Sequence, residues 1–263
     1  MLGIAMIYPL LWMISSSFKP SNEIFNTKTF LPQNFTLENY SIGWKGVSGY
    51  TFGHFFMNSF FVVFMCILGN CFSCTMAAYA FAKLNFSLKK VFFIIMMGTL
   101  MLPYHVTLIP QYIIFNKLQW INTFLPFIVP KFLGGQAFFI FLLVQYMRTI
   151  PREIEDSAKI DGCGKIGIYL RIMLPLSVPA IITMVIFTFI WTWNDFFSQL
   201  LYLNNISKFT IAIALRMFID ATSGSSWGAM FAMSILSLAP MFIIFVFFQR
   251  YLVDGITSGA VKG

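Results

Sequence analysis

The chain has few charged residues and almost no histidine. Only 10% of its 263 residues are Asp, Glu, Lys or Arg, and it contains two histidines. Soluble domains carry about a quarter charged residues, so this chain has too little polar surface to cover a soluble globule of its size. Two histidines also leave little material for a buried His/Asp/Glu constellation, which argues against a membrane-embedded enzyme. The scarcity of charge therefore predicts an integral membrane protein.

Motifs for nucleotide and metal chemistry are also missing. No G-x-x-x-x-G-K-[ST] phosphate loop occurs, so we predict no ATP hydrolysis, no catalytic residues and no cofactor bound by this chain. Cys71 and Cys74 have C-x-x-C spacing, but no second pair or nearby histidine completes a zinc site. We expect them to be small apolar helix residues and predict no metal site. The net charge of +8 would indicate nucleic-acid binding in a soluble chain, but basic membrane loops account for it here, and we predict no nucleic-acid partner.

Apolar sequence is what the chain has in abundance. Hydrophobic residues make up 59% of it, and the mean hydropathy is +0.80. Several stretches are nearly free of charge and close to the about 20 residues that a spanning helix requires. They predict an all-α polytopic membrane protein with a single transmembrane domain over residues 1–263. The six predicted spans are residues 2–18, 55–82, 91–116, 124–147, 174–201 and 227–249, and we expect Pro103 and Pro110 to kink the third.

Basic residues are concentrated in particular loops. Lys83, Lys89 and Lys90 lie in a short loop after the second span, and more lie in the loop after the fourth. Because Lys and Arg are enriched on the cytoplasmic side of membrane proteins, we expect these loops and the C-terminal tail to be cytoplasmic. Both chain ends then lie inside. We predict a multi-pass protein of the cell membrane, surrounded by lipid.

Residues 151–173, here called the charged loop, interrupt this apolar sequence with acidic and basic residues. Pro151 can begin a helix, and acidic residues in its first turn complement the helix dipole. Gly162 and Gly164 should break the helix, and apolar residues then recur at helical spacing over 165–173. We expect two short helices with a glycine elbow and an apolar seat. A solvated connector needs neither, so the pattern favours a docking role.

The charged loop resembles the coupling loop of ABC-importer permease subunits, often called the EAA loop. The shared pattern is E-x-E-x-x-A-x-x-D-G followed by I-x-L-P-L-x-x-P. It is carried by Glu153, Glu155, Asp156, Ser157, Ala158, Asp161, Gly162, Ile172, Leu174 and Pro175, followed by Leu176 and Pro179. The family's usual Glu-Ala-Ala stands here as Asp156-Ser157-Ala158, which keeps the charge on a shorter side chain. The resemblance implies that the loop inserts into a cleft on a cytoplasmic ATPase subunit.

Other stretches resemble the maltose-type, carbohydrate-uptake branch of the same family. They are PLLWMISSSFKP, AAYAFAKL, LP-x6-P-x-Y-x3-F, WNDF and the tail QRYLVDGITSGAVKG. This resemblance implies a permease subunit that forms half of a translocation path for a sugar or oligosaccharide delivered by an external solute-binding protein. It also implies a second homologous permease subunit and two cytoplasmic ABC ATPase subunits, which would bind ATP and Mg²⁺. The tail points to the second, shorter permease of the pair.

Two alternatives for the function remain open. The same scaffold can carry another solute class, because loop and fold are shared and only the sugar-branch stretches argue against it. A secondary transporter should have intramembrane acids or broken helices repeated in two halves, and apart from Asp195 the spans carry no acid. Trp193, Asn194 and Asp195 are candidates for the translocation path or for a binding-protein contact. A simple interfacial position explains Asp195 equally well.

Overall fold

The computed structural model describes residues 2–26, 29–219 and 226–257, and the regular elements in these ranges are helical. Val47 and Tyr50 form an isolated antiparallel bridge in a turn. The side chains from residue 250 onward are not among those described. The prediction of a second, shorter permease subunit, which depends on the tail QRYLVDGITSGAVKG, therefore falls almost entirely outside the described side chains. The helices are α1 (Leu2–Ser17), α2 (Glu38–Lys45), α3 (Phe52–Lys83), α4 (Lys89–Thr99), α5 (Tyr104–Lys117), α6 (Leu125–Phe132), α7 (Ala137–Thr149), α8 (Arg152–Ile160), α9 (Lys165–Ile168), α10 (Leu174–Leu176), α11 (Val178–Trp193), α12 (Phe197–Tyr202), α13 (Ile211–Met217) and α14 (Trp227–Thr257).

Several of these helices are long and apolar enough to cross a membrane. α3, the stretch Leu125–Thr149 and the part Trp227–Gln249 of α14 each meet this condition alone. α4 with α5, and Lys165–Leu176 with α11, meet it as bent pairs. The described residues therefore hold three candidate spans, or up to five if each bent pair is one span. α1 has 16 residues, fewer than the about 20 that a spanning helix usually needs.

The predicted third span is sharply bent. α4 ends at Thr99, α5 begins at Tyr104, and the two helices differ in direction by 102°. Pro103 stands directly before α5 in an extended conformation, with φ −59° and ψ 128°. Because proline has no N–H and its ring crowds the preceding turn, α4 does not continue through it. Pro110, where a second kink was expected, lies inside α5.

The predicted fifth span, residues 174–201, is divided in the structure. A π-helical turn, Tyr169–Met173, joins α9 to α10, and the chain then bends by 74° into α11. Pro175 accounts for the wide turn, because its missing N–H and its ring prevent a regular bond to the carbonyl of Arg171. α11 ends at Trp193, and α12 is a separate short helix.

The chain packs as two compact units. Unit 1 contains Met1–Phe61 and Trp193–Ile243, and unit 2 contains Val62–Thr192 and Ile244–Gly263. In unit 2 one apolar core joins membrane helices to the charged loop. Its buried members are Cys74, Ala78, Tyr79, Phe139, Ile140, Leu143, Val144, Met147, Ile150, Ala158, Ile168, Met173, Ala180 and Met184. In the same unit, the buried amide of Asn70 donates to Thr188 Oγ1 at 3.0 Å, and this hydrogen bond links α3 to α11.

Unit 1 is organised around the end of α1. Asn39 on α2 donates to the carbonyl oxygens of Ser17 and Lys19 at 2.8 and 2.7 Å. The first bond satisfies a carbonyl that the end of α1 would otherwise leave without a partner, and the second fixes the chain just beyond the helix. Gly228 on α14 leaves room for the Asn39 side chain, since a Cβ there would overlap Asn39 Oδ1.

Candidate functional site

The charged loop begins with a well-defined helix and elbow. Pro151 precedes α8, Glu153 and Glu155 occupy its first turn, and Lys159 its last, all in positions that the helix dipole favours. At the end of α8, Gly162 N–H donates to the Lys159 carbonyl at 3.0 Å and Cys163 N–H donates to the Ala158 carbonyl at 2.9 Å. This pair of bonds is a Schellman motif. It requires a left-handed residue, and Gly162 supplies it with φ +81°.

A buried ion pair fixes the first helix of the loop. Glu155 Oε1 lies 2.7 Å from Lys83 Nζ at the end of α3, and the two side chains are 8% and 4% exposed. Lys83 Nζ also donates to the carbonyl of Ile150 at 2.8 Å. One lysine therefore holds both the entry of the charged loop and the inner face of α8. Glu155 was predicted as a docking residue, but the structure turns it inward.

The second half of the loop is fixed by the same helix α3. Tyr79 donates its hydroxyl to the carbonyl of Lys165 at 3.1 Å, and the hydroxyls of Thr75 and Tyr169 are 2.7 Å apart. The rings of Tyr79 and Tyr169 have centroids 5.3 Å apart. Thr75, Tyr79 and Lys83 are spaced four residues apart, so they share one face of α3. We call these three residues the α3 face.

The outer surface of the charged loop combines acids with exposed apolar side chains. Ile160 is 87% exposed and Ile166 is 74% exposed, one on each side of the elbow. Glu153, Asp156 and Asp161 of the same loop are also exposed. Water contact is unfavourable for isoleucine, and two such residues at the tip of a polar loop mark a surface suited to a partner.

Asp156 has a local partner of its own. Its Oδ1 accepts from Lys159 Nζ at 2.7 Å, one helical turn away, and both side chains are exposed. This hydrogen bond lowers the pKa of Asp156 and raises the pKa of Lys159, so both groups stay charged at neutral pH. Exposed pairs of this kind add little stability. Asp156 therefore remains free to exchange Lys159 for a cation of a partner.

The remaining predicted loop residues have structural positions. Ser157 donates its hydroxyl to the Glu153 carbonyl at 2.8 Å, and Ala158 is buried in the core of unit 2. Ile172 and Leu174 are half-buried, and Pro175 is exposed. The structure thus separates the predicted set into an inner group that seats the loop and an outer group that faces solvent.

Sequence reasoning missed the α3 face. None of its three residues was predicted as a site residue, and none of them lies within the charged loop. The available signal was their spacing: Thr75, Tyr79 and Lys83 place hydrogen-bonding groups at every fourth position of the last turns of α3, where the other residues are apolar. Such a polar line must meet polar partners when buried. The stretch AAYAFAKL contains two of the three residues.

Trp193, Asn194 and Asp195 lie in unit 1, beside a cleft of about 420 Å³. Trp193 and Asn194 line this cleft, together with Leu10, Met13, Ile211, Ala212, Leu215, Ser234, Ser237, Leu238 and Met241. Trp193 is buried, and its indole N–H donates to the Ser237 carbonyl at 3.1 Å. Asn194 is exposed, whereas Asp195 accepts from the Ser198 N–H at 3.1 Å and helps to start α12. Within the described residues, no cluster of His, Cys, Asp and Glu is arranged to hold a metal.

Known proteins match this chain over most of its length. Residues 69–258 match the family described as binding-protein-dependent transport system inner membrane component. The chain is 38% identical to the probable ABC transporter permease protein YurM of Bacillus subtilis, over 99% of this chain and 85% of that protein. It is 34% identical to the arabinooligosaccharides transport system permease protein AraQ of Halalkalibacterium halodurans, over 98% and 91%.

A solved structure has the same fold. The solved structure is the crystal structure of a bacterial ABC transporter involved in the import of the acidic polysaccharide alginate. The comparison has a TM-score of 0.84 and covers 95% of this chain and 92% of the matched transporter chain. Sequence identity in this comparison is 21%, so the likeness concerns the fold.

Proposed function

This chain belongs to the family of binding-protein-dependent transport system inner membrane components, and from this membership we propose that it forms half of the translocation path of an ATP-driven importer. Its cargo is a sugar or oligosaccharide delivered by an external solute-binding protein. The name of the relative AraQ, an arabinooligosaccharides permease, supports this cargo class, as do the stretches that resemble the carbohydrate branch. The charged loop, fixed to α3 and apolar at its tip, is the observation that carries the proposal.

The protein is a multi-pass membrane protein, and we propose six spans with both ends in the cytoplasm. α1 supplies the first span despite its length, and each bent pair counts as one. Lys83, Lys89 and Lys90 then lie on the cytoplasmic side of the membrane with the charged loop, as the distribution of basic residues in membrane proteins favours.

The charged loop is the proposed contact with the ATPase. Its outer group offers Ile160 and Ile166 to an apolar cleft and Glu153, Asp156 and Asp161 to basic residues around that cleft. Burial of an isoleucine side chain contributes about 1.5–3 kcal/mol, so the two together can supply a useful share of an interface. ATP and Mg²⁺ bind to the two partner subunits and not to this chain.

Movement of the ATPase subunits is transmitted to the membrane helices through the contacts between the charged loop and the α3 face. Because Glu155 is held by Lys83 and Tyr169 by Thr75, a displacement of α8 and α9 acts directly on α3. It also acts on α11, which follows α10 after the bend at Ser177. ATP shifts the population between inward-open and outward-open states only if it binds one of them more tightly.

The cleft beside Trp193 and Asn194 is the proposed part of the sugar path in this chain. The buried indole of Trp193 shapes the wall of the cleft. Its ring packs against Phe60, and its N–H donates to the carbonyl of Ser237. Asn194 offers an exposed amide, a group that can both donate to and accept from sugar hydroxyls. Asp195 instead positions α12.

Uptake in a strain that lacks the gene tests the proposed function. Labelled mono- and oligosaccharides, amino acids and short peptides are supplied separately, with and without the gene restored on a plasmid. We expect restoration of uptake for one or a few related oligosaccharides. Restored uptake of an amino acid or peptide would favour the other solute class on the same scaffold. Uptake that persists after the partner ATPase is inactivated would favour a secondary transporter.

A further inference from the structure

A basic cleft lies in unit 2 beside the charged loop. It has a volume of about 300 Å³ and lies between the end of α3, the start of α4 and the end of α7. Its lining residues are Phe81, Asn85, Lys89, Lys90, Phe93 and Arg148. No part of the proposed transport mechanism uses this cleft.

The cleft carries three positive charges and no acidic side chain among its lining residues. Arg148 and Arg152 both lie within electrostatic reach of Lys89. The buried carboxylate of Glu155 on the charged loop is paired with Lys83, which is not one of the lining residues. The N-terminus of α4 adds its partial positive charge at the same place, since Lys89 is the first residue of that helix. The charges together favour an anionic ligand.

One wall of the cleft is apolar. The rings of Phe81 and Phe93 have centroids 5.5 Å apart, and the guanidinium of Arg148 lies 5.5 Å from the Phe93 centroid. Beyond the cleft, α4 continues with exposed apolar side chains, including Phe92 and Ile95. A small anion such as free phosphate would leave this wall and its extension unused. An amphiphile with an anionic head and hydrocarbon chains matches both parts.

We propose that this cleft binds the phosphate headgroup of an anionic phospholipid, with the acyl chains along α4. The inference rests on the proposed function, because it takes the membrane placement of that model, in which the charged loop and this cleft lie at the cytoplasmic surface. Basic clefts at this level of a membrane protein suit anionic headgroups. The occupied cleft joins α4 to α7 at Arg148, three residues before Pro151, where the charged loop begins.

Native mass spectrometry of the purified full-length chain in detergent tests this proposal. The protein is titrated with phosphatidylglycerol or with phosphatidylcholine of the same acyl chains. The test variant is Lys89→Gln/Lys90→Gln/Arg148→Gln, and the control variant Lys45→Gln/Lys117→Gln/Lys208→Gln removes the same number of charges from exposed positions elsewhere. We expect the parent and the control to retain phosphatidylglycerol preferentially.

The test variant should lose this preference by roughly a hundredfold, because it removes three basic residues and each one near a membrane surface contributes a roughly fivefold preference for anionic lipid. Lys90→Gln alone should lose about fivefold. Lys90 is exposed at the cleft, and its replacement serves if the triple variant does not fold. Equal retention by the parent, control and test proteins would overturn the proposal.

Two further arms separate other ligands. Glycerol phosphate, which has the headgroup chemistry without acyl chains, should not displace phosphatidylglycerol at equal concentration. Displacement by it would assign the cleft to a free phosphate and overturn the lipid assignment. Loss of ATPase co-purification in the test variant, with lipid retention unchanged, would assign the cleft to the contact with the ATPase and would also overturn the lipid assignment. These measurements do not depend on uptake, so a wrong cargo leaves their outcome unaffected.

Discussion

Lys83 holds the charged loop in place because its ammonium group is buried against that loop. Its ammonium group lies 2.7 Å from Glu155 and 2.8 Å from the Ile150 carbonyl, with little access to water. A buried pair of this kind adds little compared with an apolar pair, but removal of one partner leaves an uncompensated charge. The pair therefore specifies how the charged loop is seated.

Replacement of this lysine should loosen the charged loop. We expect Lys83→Met to cost about 3–5 kcal/mol of local stability, whereas Lys83→Met/Glu155→Met should cost much less, because no unpaired charge remains. Hydrogen exchange of peptides from residues 152–173 measures both effects, and Lys117→Met is the control at an exposed helix end. The same exchange rates in the single and double variants would contradict the role of the ion pair.

Gly162 is required for its conformation and not for its small volume. Its φ is +81°, and a Cβ built there would meet no atom within 4 Å. We expect Gly162→Ala to cost about 1–2 kcal/mol and Gly162→Val to cost more and to abolish uptake, since β-branched residues are least tolerant of positive φ. Gly164→Ala is the matched control, because Gly164 also has open space but a φ of −72°.

The cost at Gly162 is measured as the rate at which trypsin cleaves after Lys159 and after Lys165, on either side of the elbow, in the folded protein. Faster cleavage in Gly162→Ala than in Gly164→Ala is expected. If both variants are cleaved at the parent rate and Gly162→Val still transports, the Schellman elbow does not matter for coupling.

At the scale of helices, the α3 face acts as a common support for both halves of the charged loop. The predicted helix–elbow–helix arrangement was accessible from sequence because proline and glycine act locally, at Pro151 and Gly162. The burial of Glu155 was not accessible, because it depends on Lys83, which is distant along the chain. The π-helical turn was not accessible either, because it depends on two conditions together: Pro175 and the continuation of the helix into α10.

Tyr79 tests the support of the second half of the charged loop. Tyr79→Phe keeps the ring contact with Tyr169 but removes the hydrogen bond to the Lys165 carbonyl. Such a bond contributes about 1 kcal/mol, so amides of residues 165–169 should exchange roughly fivefold faster. Tyr146→Phe, on α7 and outside the α3 face, is the control. Unchanged exchange in Tyr79→Phe would show that packing alone holds α9.

At the scale of the whole molecule, composition was enough to predict a polytopic helical membrane protein. The family assignment agrees with the resemblance of the charged loop. The two sharp bends were harder to predict, since a proline within an apolar stretch is compatible with a kink, a break or an unbroken helix. Pro103 precedes a break, whereas Pro110 lies inside α5. Tertiary packing makes that choice, and a single sequence does not display it.

The proposed assembly with an ATPase concerns the whole protein, and we expect Asp156 to control it. Asp156→Lys places a second cation next to Lys159 and reverses the charge offered to a basic cleft. We expect a loss of ATPase co-purification with normal membrane insertion. Lys159→Gln is the control, because it removes the helical neighbour and leaves the carboxylate in place. Undiminished co-purification of Asp156→Lys would argue against an ion pair with the ATPase at this position.

The α3 face also has a consequence for hybrid permeases. A graft that exchanges only residues 151–173 between two relatives carries Glu155, Tyr169 and the Lys165 carbonyl into a host that supplies its own residues at positions 75, 79 and 83. If position 83 of the host is not basic, the grafted glutamate has no counter-ion. The smallest exchangeable module is therefore discontinuous: it consists of the charged loop together with three side chains of α3.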